Sequence, residues 1–188
     1  MKDVVEGTGV RLRRARTGDA EFVASLAVHD DVEPFMSAAA SRDLRSIARL
    51  IDASEAEPLE HGVFVIEDGR DPEAAGVVMF EASNRRSRIA HLYGLMLAPA
   101  FRGRGLAGAA TRAFARHLLL DLGYHRVQLE CYGFNERAIR HAERAGFIRE
   151  GVKRKAYWRH GEWVDGVLFG LIREDLEEGR QRPEGRRH

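Results

Sequence analysis

The sequence predicts one α/β domain, a mostly antiparallel mixed sheet with helices on both faces. Three observations carry that prediction. Strand-like and helix-like apolar patterns follow one another as strand, two helices, three strands, helix, strand, helix, two strands. The stretch 88–131 reads strand, helix, strand, a crossover whose two strands should lie parallel. Within it, Arg102-Gly103-Arg104-Gly105 joins the end of an apolar strand to the longest helix of the chain.

Each element has a local cause. Residues 10–15 alternate well enough for a strand. Thr17 or Asp19 then caps a helix reaching about Val28, with Phe22, Val23, Leu26 and Ala27 on one face. Residues 30–40 are irregular, and their start is acidic: Asp30, Asp31 and Glu33. Ser41 is expected to cap a second helix striped by Leu44, Ile47, Ala48 and Ile51. Strands over 62–67 and 74–81 are joined by a turn at 68–72, and a polar turn at 84–87 leads to a strand over 88–97. Leu106, Ala110, Phe114, Leu118 and Leu122 recur every four residues, so one helix should run over 106–122 and stop at Gly123. Residues 126–131 form a short strand. Asn135 caps a fourth helix, lined by Ala138, Ile139 and Ala142 and closed by Gly146. A hairpin over 152–158 and 163–172 turns at His160-Gly161. Its Trp158 and Trp163 either shape a pocket or pack on the sheet, and packing is expected for at least one. The domain is taken as 1–175, followed by a charged, apolar-poor tail over 176–188 that should be loose.

Composition narrows the classes of function. The 188 residues are 44% hydrophobic and 31% charged with a net charge of +1, so no general attraction to nucleic acid is implied. No apolar run is long enough to span a bilayer, and residues 1–6 lack the apolar core of a signal peptide. Cys131 is the only cysteine. It permits no internal disulfide, and a reducing, cytoplasmic setting is expected. A lone cysteine near a strand end is read as a small core residue rather than an acyl carrier. The eight histidines form no helical ligand pair with acidic support, so no metal is expected.

The glycine turn carries the chemistry. Two glycines let the main chain bend with its N–H groups converging, and the helix that opens there adds unpaired amides and a positive dipole end. Such a turn cradles a phosphate or diphosphate. No Lys-Ser/Thr pair follows, which excludes a Walker loop, and the glycine register does not fit a dinucleotide fingerprint. Arg102 and Arg104 either add charge at the anion or are solvated loop cations.

The combination resembles the GNAT superfamily of acyl-CoA-dependent N-acetyltransferases. Its Arg/Gln-x-x-Gly-x-Gly/Ala signature appears as Arg102-Gly103-Arg104-Gly105-Leu106-Ala107, and its downstream Asn, small residue and Gly-Phe appear as Asn135, Ala138 and Gly146-Phe147. Glu150-Gly151-Val152, Arg154-Lys155-Ala156-Tyr157 and Gly161-Glu162-Trp163-Val164-Asp165 look like its ribosomal-protein alanine N-acetyltransferase branch, which also holds enzymes for polyamines and antibiotics.

The resemblance implies acetyl-CoA as co-substrate, its diphosphate held by the amides of Gly103, Arg104, Gly105, Leu106, Ala107 and Gly108. Arg102 and Asn135 would lie nearby, though capping alone explains Asn135. It also implies that the strand before the cradle splays from its parallel neighbour. The pantetheine arm would then run against Met96, Leu97 and Ala98, with an N–H near Leu97 on the thioester carbonyl. An amine must lose a proton before attack. Strand alternation puts His91, Tyr93, Leu95 and Leu97 on one face, which makes His91 and Tyr93 the candidate catalytic groups. His91 is equally explained as a hydrogen-bonded, half-buried strand residue, and Glu130 on the adjoining strand is a weaker candidate. Family members that protonate the thiolate with a fourth-helix tyrosine have Ala142 as their counterpart here. His141, one residue earlier, is expected to point elsewhere.

The acceptor is expected to be an amine-bearing small molecule or a protein N-terminus, met by a monomer or homodimer. The rival from another class is a non-catalytic acyl-CoA-binding module.

Overall fold

The computed structural model describes residues 3–30, 32–35 and 43–176. Eight strands form one sheet: β1 (Val4–Gly7), β2 (Val10–Arg14), β3 (His61–Asp68), β4 (Asp71–Asn84), β5 (Ile89–Leu97), β6 (Arg126–Tyr132), β7 (Ile148–Arg159) and β8 (Glu162–Ile172). Their order is β1-β2-β3-β4-β5-β6-β8-β7, and only β5 and β6 run parallel. Four α-helices pack on it: α1 (Ala20–Ala27), α2 (Leu44–Ala56), α3 (Leu106–Arg116) and α4 (Glu136–Arg144).

The predicted class and crossover hold, and four local expectations are corrected. β1 was not anticipated; Val-Val-Glu-Gly is too short to show alternation, and it is made by pairing with β2. The cap of α2 is Asp43, whose carboxylate accepts from the Ser46 N–H, and Leu44 is exposed rather than part of the buried stripe. Ser41 lies outside the described residues. The helix over 106–122 is α-helical only to Arg116, then widens into a π-helical turn, His117–Asp121. The Ile172 N–H donates to the Asp175 carboxylate, and Leu176, the first residue of the expected loose tail, packs against the core. The tail from 177 lies outside the described residues.

Two clusters sandwich the sheet. On one face α3 and α4 bury Phe64, Phe80 and Phe114, whose rings meet at 4.9 and 5.8 Å. On the other, α1 and α2 cover Val63, Val65, Val77, Met79 and Met96. β3 is buried on both faces from Gly62 to Ile66, which matches its unbroken apolar run. Burial of charge is compensated locally: the Glu67 carboxylate takes Arg11 and Arg13 at 2.6 and 2.7 Å, and the Arg14 guanidinium takes the Ser54 hydroxyl at 2.6 Å.

Candidate active site

The site grows from the parallel pair. β5 and β6 are in register for three pairs only, Ile89–Arg126, Ala90–Val127 and His91–Gln128. Beyond them, 92–97 and 129–132 diverge without pairing, which opens a gap in the middle of the sheet. β5 stays bonded to β4 on its other side, and the Ala98 N–H donates to the Ala75 carbonyl at 2.9 Å. Successive main-chain groups of a strand point to alternate sides, so the N–H and carbonyl of Leu97 point into the gap. Arg102 turns back to the same place, its Nε donating to the Leu97 carbonyl at 3.1 Å.

At the end of the gap, Pro99–Phe101 makes one 3-10 turn, and Gly103 and Gly105 follow at φ of +77° and +79°. This is the left-handed region, where a side chain is strained. Neither glycine has an atom within 4 Å of where a Cβ would stand, so conformation rather than crowding demands glycine. Gly105 caps α3 with no side-chain bond, and the first intrahelical bond runs from the Ala109 N–H to the Gly105 carbonyl. Leu106, Ala107 and Gly108 therefore present N–H groups without an intrahelical acceptor. The turn is open and donor-rich, and it fits a diphosphate.

The arginines are neither idle nor free. Arg104 lies 3.8 Å from the Asp68 carboxylate, with its guanidinium 5.1 Å from the Phe101 ring centre. Both therefore brace the turn as well as charging it. At the neighbouring helix, the Asn135 side chain accepts from the Ala138 N–H at 3.0 Å, the cap expected of it.

The expectation that His91, Tyr93, Leu95 and Leu97 share a face fails at Gly94. There β5 carries an extra residue: Tyr93 pairs with Met79 but Met96 with Val77, and Gly94 sits at φ +63°. This β-bulge reverses alternation. Tyr93 and Met96 face the α1/α2 side, whereas Leu95 and Leu97 pack toward α3. His91 and Tyr93 precede the bulge and stay together, rings 5.9 Å apart and 16° from parallel.

Val127, Leu129 and Cys131 pack toward α3 and α4, so Gln128, Glu130 and Tyr132 project from the face that carries His91. There, burial depresses the His91 imidazole below its ordinary value, while Glu81 and Glu130 pull it partly back. It is neutral near pH 7. Burial raises the Tyr93 hydroxyl to about 12, so it keeps its proton there. The Glu130 carboxylate accepts from Lys153 Nζ at 2.8 Å and has one oxygen buried without a partner. Tyr157 meets the Tyr132 ring edge-on at 5.4 Å. The Lys153–Glu130 pair was not anticipated; its only sequence sign is a lysine in an arginine-rich chain.

The remaining expectations turn on position. Ala142 is buried. His141 lies against α3, its Nε2 2.9 Å from Thr111 Oγ1. Cys131 is half-buried against the core, and burial raises its thiol to about 11. Trp158 and Trp163 are each 57% exposed and pack edge-on against each other at 5.3 Å. Of the acidic trio, Asp30 is exposed, while Asp31 and the Glu33 side chain lie outside the described residues.

A splayed parallel pair ending on a glycine cradle is matched by sequence comparison. The model of the acetyltransferase (GNAT) domain family covers residues 10–148. The chain belongs to the GNAT acetyltransferases. An uncharacterised N-acetyltransferase of an SPbeta prophage in Bacillus subtilis, YokL, is 36% identical over 85 residues, 45% of this chain and 48% of that protein. The match thus spans about half the length of that curated relative. Among solved structures, spermidine N-acetyltransferase from Vibrio cholerae in complex with CoA and spermine superposes with a TM-score of 0.77 at 20% identity, over 90% of this chain and 98% of that one. A GNAT-family acetyltransferase from Bacillus anthracis gives 0.77 at 18%, over 91% and 99%. These superpositions establish the shared fold. No helix among the described residues is long and apolar enough to cross a membrane.

Proposed function

We propose that this GNAT protein is an N-acetyltransferase that moves an acetyl group from acetyl-CoA to a primary amine of a small molecule or a protein N-terminus. The observation that carries the reading is the seam. The three-pair contact of β5 and β6 opens into a gap that runs from His91 to the bare amides at 106–108. Acetyl-CoA supplies the activated acetyl group as a thioester. The turn from Gly103 to Gly108 holds the diphosphate, Met96, Leu97 and Ala98 border the pantetheine arm, and Asn135 flanks it from the head of α4.

The Leu97 N–H donates to the carbonyl oxygen as charge grows there. His91, neutral because it is buried, takes the proton that the ammonium must lose. The new C–N bond forms as C–S breaks. The thiolate leaves as the free anion or takes a proton from Tyr93, Tyr132 or water. Glu130 is paired with Lys153 and so adds no net charge to the substrate side of the seam. The segment 150–165 supports the ribosomal-protein alanine branch, whereas the spermine-bound Vibrio cholerae neighbour supports polyamines. Primary amines are the chemistry common to both.

Incubating the purified protein with acetyl-CoA and a panel of polyamines, amino-terminal peptides and aminoglycosides, while following thiol release, tests the reading. Amine-dependent release is expected. Tight CoA binding without turnover on any amine would replace this reading with a binding module.

A further inference from the structure

The tip of the β7–β8 hairpin holds a buried cation that no described carboxylate neutralises. Arg159, the last residue of β7, is only 9% exposed. Its Nη2 donates to the Pro34 carbonyl at 3.1 Å, and its Nε is buried with no partner. Arg14 is buried as deeply but is well supplied. It donates to the Ser54 hydroxyl and to the carbonyls of Ser54, His61 and Pro58, and Asp3 lies 3.7 Å away. A guanidinium taken from water without a counter-charge is costly, so the surroundings of Arg159 gain from an anion in a way that those of Arg14 do not.

Arg159 stands on the substrate side of the seam. Its guanidinium carbon lies 5.3 Å from the centre of the Tyr132 ring, and Tyr132 projects from the face that carries His91. From the His91–Gln128 pair, four residues, about 13 Å, bring β6 to Tyr132, level with the end of β5. Leu97, whose N–H faces the thioester in the acetyl-transfer reading, is at that end. Phe134 stacks on Tyr132 at 5.4 Å and meets Phe35 at 5.9 Å, so the segment 32–35 lies over this corner. His160 Nε2 stands 3.3 Å from the same Pro34 carbonyl that Arg159 takes. Two ring or guanidinium nitrogens thus converge on one neutral oxygen.

A neutral carbonyl is a weak acceptor for an arginine. A carboxylate offers two oxygens in the plane of the guanidinium fork and binds it about twice as strongly, so it would displace Pro34. One guanidinium matches the single charge of a carboxylate. A polyamine would instead bring a second ammonium against a buried cation, which repels it. We propose that Arg159 receives a carboxylate of the acceptor, so that the amine acetylated belongs to an amino acid and not to a polyamine. This rests on the acetyl-transfer reading and names its substrate class.

Initial rates of the full chain with acetyl-CoA and the twenty protein amino acids, their amides and spermidine test this. The wild type should turn over at least one amino acid with kcat/KM on the order of tenfold above spermidine. Arg159→Gln should raise KM for that amino acid about tenfold with a smaller change in kcat, the mark of lost binding. The ratio of acid to amide should fall about tenfold from wild type to variant; the difference in amine basicity cancels in that comparison. Arg159→Lys should restore part of the ratio. CoA affinity by calorimetry should stay within about twofold, which reports that the variants fold. An unchanged acid-to-amide ratio in Arg159→Gln overturns the assignment. So do amino acids that are inert in the wild type while any other amine is acetylated, a result that needs no variant and leaves acetyl transfer standing. If no amine at all is acetylated, the acetyl-transfer reading falls and this assignment with it.

Discussion

The two halves of the sheet are built on opposite terms. In β2, β3 and β4 the strands are pressed between helices, and β3 hides six successive residues from Gly62 to Asp68's neighbour Glu67. In β6, β8 and β7 only the α3/α4 face is packed, and edge strand β7 exposes almost its whole length, including Ile148 and Val152. The first half holds the aromatic stack of Phe64, Phe80 and Phe114; the second leaves Tyr132, Tyr157 and Glu130 on a face that no described α-helix covers. Stability is concentrated where both faces are covered, and reactive groups collect where one is not. The seam between β5 and β6 is where the two regimes meet.

Substitutions sharpen or break this contrast. The largest effect is expected in the closed half. Phe114→Ala removes a fully buried ring touching two others and should cost about 3–5 kcal/mol in denaturant unfolding. A loss under about 1 kcal/mol would show that stability does not reside there. At the seam, Gly105→Glu puts a carboxylate among amides meant for an anion, and CoA affinity by calorimetry should fall on the order of 10³-fold. Gly105→Ala imposes the same backbone strain without charge and should lose far less; equal losses would assign the effect to conformation.

Next comes His91→Ala, which should lower turnover near pH 7 by about 10²-fold. Because burial depresses the His91 imidazole, the wild type should lose activity only as pH falls below about 6.5, where the ring gains a proton. The variant should lack that limb and approach wild-type rates at high pH, where free amine is plentiful. Equal losses across pH would remove His91 as base. Smallest is the open half: Trp158→Ser, at a site 57% exposed, should change unfolding free energy by less than about 1 kcal/mol.

Much of this was legible in the residues because local chemistry and tertiary structure agree. Asn135 caps the helix it was expected to cap, Gly105 opens α3, and the crossover over 88–131 gives the parallel pair. The shared face of β5 was misread for a definite reason: one inserted residue turns every later side chain over. Glycine within an apolar strand is the one sign of such a bulge, and Gly94 carried it. β1 and the π-helical turn left no comparable mark, since both arise from pairing and packing with distant segments. The bond between Arg102 and Leu97, and that between Thr111 and His141, depend on which elements adjoin and have no signature in spacing.

The three rungs that join β5 to β6 have a consequence for motion. Past His91 no main-chain pairing among the described residues joins β5 to β6, so amide hydrogens along 92–97 that face the gap should exchange with solvent far faster than those of β3. A coenzyme lying there would act as the absent rungs, slowing that exchange and raising the melting temperature in proportion to the logarithm of its concentration. Ligand occupancy would thus be written into the rigidity of the whole sheet, not only into its mouth.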